Sequence, residues 1–157
     1  MQIRTAVEAD LARLKDLTAE AFDGITIYHI LEKRYGQLGG KSWQEWKTAH
    51  LGALVKEHPE QILLAELDGE IVGFCTYHVD RVRRIGEIGN NGVDRRYRNR
   101  GIGTQLYSRA IAILREEGMR GVEVITGLDE DYASARRAYE KVGFQPLVRS
   151  VRYIMDL

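Results

Sequence analysis

The fold is decided by residues 93–103, which read Val-Asp-Arg-Arg-Tyr-Arg-Asn-Arg-Gly-Ile-Gly. An apolar run with strand character ends at Val93, and a helical pattern begins at about Ile102. The first turn of a helix has backbone N–H groups with no partner inside the helix, and the helix dipole places partial positive charge there. Gly101 and Gly103 have no Cβ, so the backbone can approach an anion closely. The stretch therefore predicts a phosphate-binding loop between a strand and a helix.

The same loop is rich in arginine, and its arginines are Arg95, Arg96, Arg98 and Arg100. Their guanidinium groups add positive charge and paired donors for phosphate oxygens. Two common phosphate motifs are excluded. The chain has no Gly-x-x-x-x-Gly-Lys-Ser/Thr run, and a dinucleotide-binding fingerprint would need a third glycine where Leu106 stands. The alternative interpretation is a basic surface loop that leads into an ordinary helix.

Length and composition limit the class of protein. The chain has 157 residues, which suits one domain, and 44% of them are apolar and 29% charged, as in globular proteins. The formal net charge is zero, so neither a nucleic-acid-binding protein nor a polybasic membrane anchor is expected. Residues 81–100 nevertheless contain seven arginines against two acidic residues, Glu87 and Asp94. A small polyanionic ligand would explain this local excess of positive charge.

Cys75 is the only cysteine, so no intrachain disulfide is possible. It lies in an apolar run, where a buried and inert thiol is expected. The N-terminus lacks the apolar segment of a signal peptide, and no apolar run approaches the roughly 20 residues that a membrane span needs. We therefore expect a cytoplasmic protein, and we predict no metal ligands.

The N-terminal third of the chain has mainly helical periodicity. A strand over 3–7 precedes a helix that begins at Ala9 or Asp10, and a second short helix is predicted over 27–35. Ser42 and Glu45 form a capping-box pattern, which predicts one helix from there to about residue 57, before Pro59. The residues predicted to face inward on that helix are Trp43, Trp46, His50, Leu51, Leu54 and Val55.

The middle of the chain has strand patterns. Residues 61–67 and 70–78 are joined by Asp68-Gly69, which is a strong hairpin signal. The next strand spans 84–93 and contains Gly-Asn-Asn-Gly at 89–92. That run indicates a bulge, and the alternative is a second hairpin turn.

The remainder alternates between helix and strand. A helix from 102 to about 117 leads to a strand over 122–126, and strands joined in this way should be parallel. A further helix is predicted over 131–142. Two closing strands, over 144–147 and 150–156, complete the prediction.

Two motifs resemble those of the GNAT superfamily of acyl-CoA-dependent N-acetyltransferases. The spacing Arg98-x-x-Gly101-x-Gly103 is similar to the family's pyrophosphate-binding motif, and Ala135 followed by Tyr139-Glu-Lys-Val-Gly-Phe is similar to its second motif. They occur in the family's order, separated by a helix and a strand. The resemblance covers nearly the whole chain and implies a single domain over residues 1–157. The implied fold is α+β, with a mixed, mostly antiparallel sheet that splays between two central parallel strands and is flanked by helices.

The resemblance implies that acetyl-CoA is the co-substrate and lies in the split of the sheet. Its pyrophosphate would receive backbone N–H groups from the loop, and its pantetheine would extend the sheet edge near the end of the 84–93 strand. The residues expected to contact it are Val93, Arg98, Asn99, Arg100, Gly101, Ile102, Gly103, Thr104 and Ala135. Tyr132 stands where the family often has asparagine, so that family contact is not carried over.

Acetyl transfer to an amine needs a base, a donor to the developing oxyanion and an acid for the leaving thiolate. Glu87 resembles the catalytic glutamate of the histone-acetylating branch of the family. Its alternative role is to balance nearby arginines. Tyr139 resembles the family tyrosine that protonates the thiolate, and its alternative role is packing. The oxyanion donor would be a main-chain N–H near Asn91 or Val93.

The acceptor is expected to be a primary amine of a small molecule or a protein. Residues that could line its site are Tyr28, His29, Tyr35, Arg149 and Arg152. Two alternatives stay open: a non-catalytic acyl-CoA-binding sensor or interaction module, and a general nucleotide-binding protein. No nucleic-acid or membrane partner is expected, and a homodimer is left open.

Overall fold

The computed structural model describes all of residues 1–157. Its strands are β1 (Gln2–Thr5), β2 (Ile62–Leu67), β3 (Glu70–Asp80), β4 (Ile85–Val93) and β5 (Gly121–Val124). They form one sheet in the order β1-β2-β3-β4-β5. Neighbouring strands are antiparallel except β4 and β5, which are parallel. The predicted fold class and the predicted parallel pair are confirmed.

Helices cover both faces of the sheet. They are α1 (Leu11–Phe22), α2 (Ile27–Tyr35), α3 (Trp43–Thr48), α4 (Leu51–Glu57), α5 (Ile102–Glu116) and α6 (Ala133–Lys141). Because side chains alternate along a strand, β3 supplies Phe74 to a core under α1 and α4, and Cys75 to a second core under α5 and α6. Burial raises the pKa of the Cys75 thiol to about 12, in line with an inert thiol. None of the helices combines the length and the apolar character required to cross a bilayer.

The predicted hairpin turn and the predicted capping box are confirmed. Asp68 and Gly69 both have positive φ, at 53° and 81°, as the tight β2–β3 hairpin requires. The Ser42 hydroxyl accepts a hydrogen bond from the backbone N–H of Glu45, and the Glu45 carboxylate accepts one from the backbone N–H of Ser42. Gly118 ends α5 with a φ of 77°.

The single helix predicted from Ser42 to Glu57 is wrong, because the segment forms two helices, α3 and α4. The Thr48 hydroxyl donates to the carbonyl of Gln44, and a hydroxyl bonded in this way bends a helix. The N–H of Ala49 then bonds to the carbonyl three residues back, at Trp46, which ends α3. Trp46 and His50, predicted to face inward, are exposed.

The two closing strands predicted over 144–147 and 150–156 are also wrong, because residues 144–157 form no regular structure. A strand needs a facing edge, and β5, the outer strand on this side, is only four residues long. Pro146 has no N–H to contribute to a ladder. The end of the segment is held elsewhere, because Asp156 accepts hydrogen bonds from Arg34 and Tyr35 of α2.

Candidate active site

The sheet opens between β4 and β5. The two strands pair only from Ile85 with Gly121 to Ile88 with Val124, and after that point they separate. A cavity of about 1120 Å³ lies in the gap, between residues 89–93 and 125–127. Its volume is sufficient for a cofactor-sized ligand.

A bulge in β4 borders this cavity. Asn91 pairs with Cys75 and Ile88 with Tyr77, so that Gly89 and Asn90 together face a single residue of β3. The bulge predicted for the Gly-Asn-Asn-Gly run is confirmed, and the second hairpin turn is not formed. A bulge turns neighbouring side chains in new directions. Here the side chain of Asn90 meets Lys47 of α3 and His50 just before α4, and that of Asn91 meets α5 and α6.

The loop between β4 and α5 presents free backbone donors to the cavity. None of the backbone N–H groups of residues 99–104 donates a hydrogen bond within the protein. An ordinary helix start leaves four such groups, and this loop adds to them through positive φ at Asn99, 61°, and Gly101, 78°. Six consecutive unpartnered N–H groups beside a cavity are suited to an anion with several oxygens.

Most of the predicted cofactor-binding residues line the cavity. These are Val93, Arg98, Asn99, Gly101, Ile102, Gly103, Thr104 and Ala135. The side chain of Arg98 also donates to the Val93 carbonyl, which ties the loop to the end of β4. Arg100 is the exception. Its guanidinium donates to the carbonyl of Arg96 and lies over the ring of Tyr97, so its side chain is turned away from the cavity.

Asp94 anchors the loop to the rest of the protein. Its carboxylate is buried and accepts hydrogen bonds from the Arg13 guanidinium at 2.7 Å and from the backbone N–H and guanidinium of Arg96. These hydrogen bonds, with those from Arg96 the largest cause, hold the pKa of the Asp94 carboxyl well below its usual range. Asp94 thus anchors the loop and pairs with two arginines, Arg13 and Arg96.

Replacing Asp94 with asparagine is expected to lower the free energy of unfolding by about 2 kcal/mol, because a buried charge-assisted network loses its negative charge and one of its two acceptor oxygens. A carboxyl whose pKa is lowered on folding stabilises the protein above its unfolded pKa of about 3.9, and that stability is lost as the pH falls through the folded pKa. Urea unfolding from pH 7 to pH 3 should therefore show a weaker loss of stability in the variant. Asp16→Asn, at an exposed position of α1, is the control and should behave like the parent.

Two tyrosines meet one asparagine on the α5–α6 side of the cavity. The Tyr107 hydroxyl donates to Asn91 Oδ1 at 2.7 Å, and Asn91 Nδ2 donates to the Tyr139 hydroxyl at 3.0 Å. Both rings are buried, with centroids 4.9 Å apart. Burial raises the pKa of both hydroxyls, so each keeps its proton at neutral pH. A protonated phenol fixed in a cavity can serve as a proton donor.

The side chains of Asn91 and Tyr107 were missed by sequence reasoning. Tyr107 lies on the apolar face of α5 beside Leu106, where an aromatic residue normally indicates packing. The one available signal was its hydroxyl, because a buried tyrosine usually needs a hydrogen-bond partner. Nothing in the sequence indicated that the partner would come from the bulge in β4.

Glu87 lines the cavity on the opposite face of β4 from Tyr139. Its neighbour Ile88 is buried under α5, so Glu87 projects toward the α1–α4 side. Its register partners are His78 on β3 and Glu123 on β5. Four positions along a strand separate it from Asn91, a distance of about 12 Å.

The residues proposed for the acceptor site are mostly elsewhere. Of the five, only Arg152 lines the cavity. His29 stacks on the indole of Trp43, Tyr28 borders a separate small pocket, and Tyr35 bonds to Asp156. The α1–α4 side of the cavity is lined instead by Phe22, Ile25, Ile27, Ile30, Lys47, His50 and Leu54.

Tyr132, the departure from the family pattern, joins the two sides of the cavity. Its hydroxyl donates to the carbonyl of Ile25, in the turn between α1 and α2, at 2.6 Å. The residue also lines the cavity. Its hydroxyl is thus used to connect the start of α6 to the N-terminal helices.

Comparison with known sequences gives a consistent family. The model of the acetyltransferase (GNAT) family matches residues 24–144. An uncharacterised N-acetyltransferase of Methanocaldococcus jannaschii is 28% identical over 148 residues, which are 91% of this chain and 60% of that protein. One of Archaeoglobus fulgidus is 26% identical over 81% of this chain and 82% of its own length. The mycothiol acetyltransferase of Sanguibacter keddieii is 39% identical over 52% of this chain. The chain spans 60% of the length of the first of these relatives and 27% of the last.

Comparison with solved structures supports the fold. A protein from Bacillus halodurans, solved as a mutant, has a TM-score of 0.73 at 16% identity, with 99% of both chains covered. An aminoglycoside 6'-N-acetyltransferase from Acinetobacter haemolyticus has a TM-score of 0.68 at 17% identity, with 100% of this chain and 99% of that chain covered. Another aminoglycoside acetyltransferase, solved with a bisubstrate analogue that contains CoA, has a TM-score of 0.67 at 16% identity over 99% of this chain and 98% of its own. At these identities the likeness is one of fold.

Proposed function

This chain belongs to the acetyltransferase (GNAT) family, and we propose that it transfers an acetyl group from acetyl-CoA to a primary amine by direct attack of the amine on the thioester. The observation that carries the proposal is the row of six unpartnered N–H groups, residues 99–104, at the edge of the cavity. A pyrophosphate offers several anionic oxygens to such a row. The free edge of β4 beyond Ile88 offers unpaired backbone groups to the amides of pantetheine.

Tyr139 is proposed as the acid that donates its hydroxyl proton to the leaving thiolate. Its raised pKa supports this role, because the hydroxyl keeps its proton until the thiolate forms. Asn91 fixes the hydroxyl through its side-chain amide, and Tyr107 fixes Asn91. The oxyanion would be bound by a main-chain N–H of the same bulged stretch.

Glu87 is proposed as the base that takes a proton from the acceptor's ammonium, so that the free amine can attack the thioester. Its position about 12 Å along β4 from Asn91 favours transfer through water over direct contact. It lies on the face of β4 opposite Tyr139, so base and acid would act from two sides of the reacting carbonyl.

Release of CoA thiol from acetyl-CoA tests the proposal, measured with a thiol reagent across a panel of amines. We expect thiol release that depends on an amine and is matched by acetylated product in mass spectrometry. Tight CoA binding with no turnover on any amine would favour the alternative, a non-catalytic acyl-CoA-binding module. Competition by ATP as strong as that by CoA would favour general nucleotide binding.

The cytoplasmic location and a homodimer stay predictions, and size-exclusion chromatography with light scattering tests the latter.

A further inference from the structure

Lys47 is a cation without an ionic partner inside the cavity. Its Nζ donates to Asn90 Oδ1 at 2.7 Å and lies 3.7 Å from the centroid of the Phe22 ring. Lys47 forms no salt bridge, and the closest groups of opposite polarity are this neutral amide and the face of the ring. Burial lowers the pKa of the ammonium to about 8, which is the expected response of an amine that lacks an anion.

The groups in contact with Lys47 include no anion. Asn90 uses its oxygen on Lys47 and its nitrogen on His50 Nε2, at 2.9 Å. The residue as a whole is exposed, but desolvation of the ring at the cavity wall, together with the charge of Lys47, lowers the pKa of His50, so the imidazole is neutral at pH 7 and contributes no charge. The other neighbours on this side include the apolar Phe22, Ile25, Ile30 and Leu54. Glu87 is the acidic residue that lines the cavity on this face, and it forms no salt bridge with Lys47. The groups in contact with Lys47 therefore supply a hydrogen-bond acceptor and apolar surface but no anion.

We propose that Lys47 binds a carboxylate of the acceptor, so that the acceptor is an amino acid or a related amine that carries a carboxylate and an apolar group. The inference rests on the proposed acetyl transfer, since it concerns the acceptor end of the same cavity. A half-buried ammonium gains an ion pair when a carboxylate enters, and screening by water is weaker there than at the surface. A polycationic acceptor would place a second positive charge beside Lys47 and be disfavoured.

The position of Lys47 relative to the reacting groups fits an acceptor bound in one orientation. The bulge turns the side chain of Asn90 toward Lys47 and that of Asn91 toward Tyr139. Consecutive Cα atoms are about 3.8 Å apart. The carboxylate subsite and the Tyr139 hydroxyl are therefore tied to consecutive positions of β4, on opposite faces of the sheet. Glu87, on the same face as Asn90, would lie on the amine's side of the acceptor.

Matched pairs of acceptors test the inference, because each pair differs only in the carboxylate. Phenylalanine is compared with phenethylamine, and leucine with 3-methylbutylamine. With the parent protein, we expect kcat/KM to be at least tenfold higher for the amino acid of each pair. Lys47→Met should raise KM for the amino acid at least tenfold, change that for the amine less than twofold, and leave the Kd for CoA unchanged.

Two further variants test whether the charge of Lys47 is responsible for the preference. Lys47→Arg keeps the charge and should retain most of the preference for the amino acid. Lys56→Met removes an exposed lysine from α4 and should match the parent. Equal use of both members of each pair by the parent, or an unchanged preference in Lys47→Met, would overturn the inference.

A binding experiment keeps this inference separate from the proposed activity. Calorimetry with CoA present compares N-acetylphenylalanine with N-acetylphenethylamine, for the parent and for Lys47→Met. Tighter binding of the acid that disappears in Lys47→Met supports the carboxylate subsite even if no amine is acetylated. Acetylation of amines together with equal binding of the two compounds would leave the proposed function standing and reject the subsite.

Discussion

Replacing Tyr139 with phenylalanine is expected to lower kcat about 100-fold or more while the Kd for CoA changes little. The ring would remain between Tyr107 and Phe144, so packing is preserved and only the hydroxyl is lost. Loss of a positioned general acid typically costs a factor of 10² to 10⁴ in rate. Asn91 keeps its hydrogen bond from Tyr107, which limits structural change.

Steady-state kinetics at saturating acetyl-CoA measure this effect, and calorimetry measures the Kd for CoA. Tyr153→Phe is the matched control, because it removes the same hydroxyl from an exposed residue of the C-terminal segment. A kcat for Tyr139→Phe within threefold of the parent would assign Tyr139 to packing alone.

The pH profile of kcat gives a second test of the role of Tyr139. Because burial raises the pKa of the hydroxyl above its ordinary value of about 10, any fall in kcat caused by its ionisation should have its midpoint above that pH.

The sequence predicted those parts of the site in which neighbouring residues act together. The loop from Arg98 to Thr104 is contiguous, and its free N–H groups follow from glycine conformation and from a helix start. The β2–β3 hairpin and the Ser42 cap likewise depend only on residues that are close together in the sequence. Such features depend on a few consecutive residues, so no knowledge of the rest of the fold was needed.

The parts that were missed depend on contacts between distant segments. Asn91 and Tyr139 are 48 positions apart, and Lys47 and Asn90 are 43 apart. A bulge can be predicted from Gly-Asn-Asn-Gly, but the side chain that each bulge residue meets is set by the packing of helices. The prediction of the two closing strands was wrong for a related reason. The pattern of residues 150–156 is compatible with a strand, yet a strand forms only where a neighbouring edge is available, and β5 ends at Val124.

Replacing Gly101 with valine is expected to raise the Kd for CoA about 100-fold or more. Gly101 has a φ of 78°, and no atom lies within 4 Å of the position a Cβ would occupy. The substitution therefore introduces no clash, and its cost lies in the backbone, where a side chain in the left-handed region costs about 1–2 kcal/mol. Relief of that strain would rotate the peptide groups of residues 99–104. Loss of two charge-assisted hydrogen bonds, at about 1.5–3 kcal/mol each, accounts for the expected change in Kd.

Gly36→Val is a control for strain outside the cavity, because Gly36 has a φ of 75° and equally open surroundings. Its ψ of −170° lies in a region that only glycine adopts readily, so the variant should lose at least as much stability in urea unfolding as Gly101→Val, and it should bind CoA like the parent. The difference between the two variants then isolates the geometry of the loop from a general loss of stability. If Gly101→Val binds CoA as tightly as Gly36→Val does, the six N–H groups do not hold the pyrophosphate. The cofactor would then have to be bound through the arginine side chains, of which Arg98 alone among those of the loop faces the cavity.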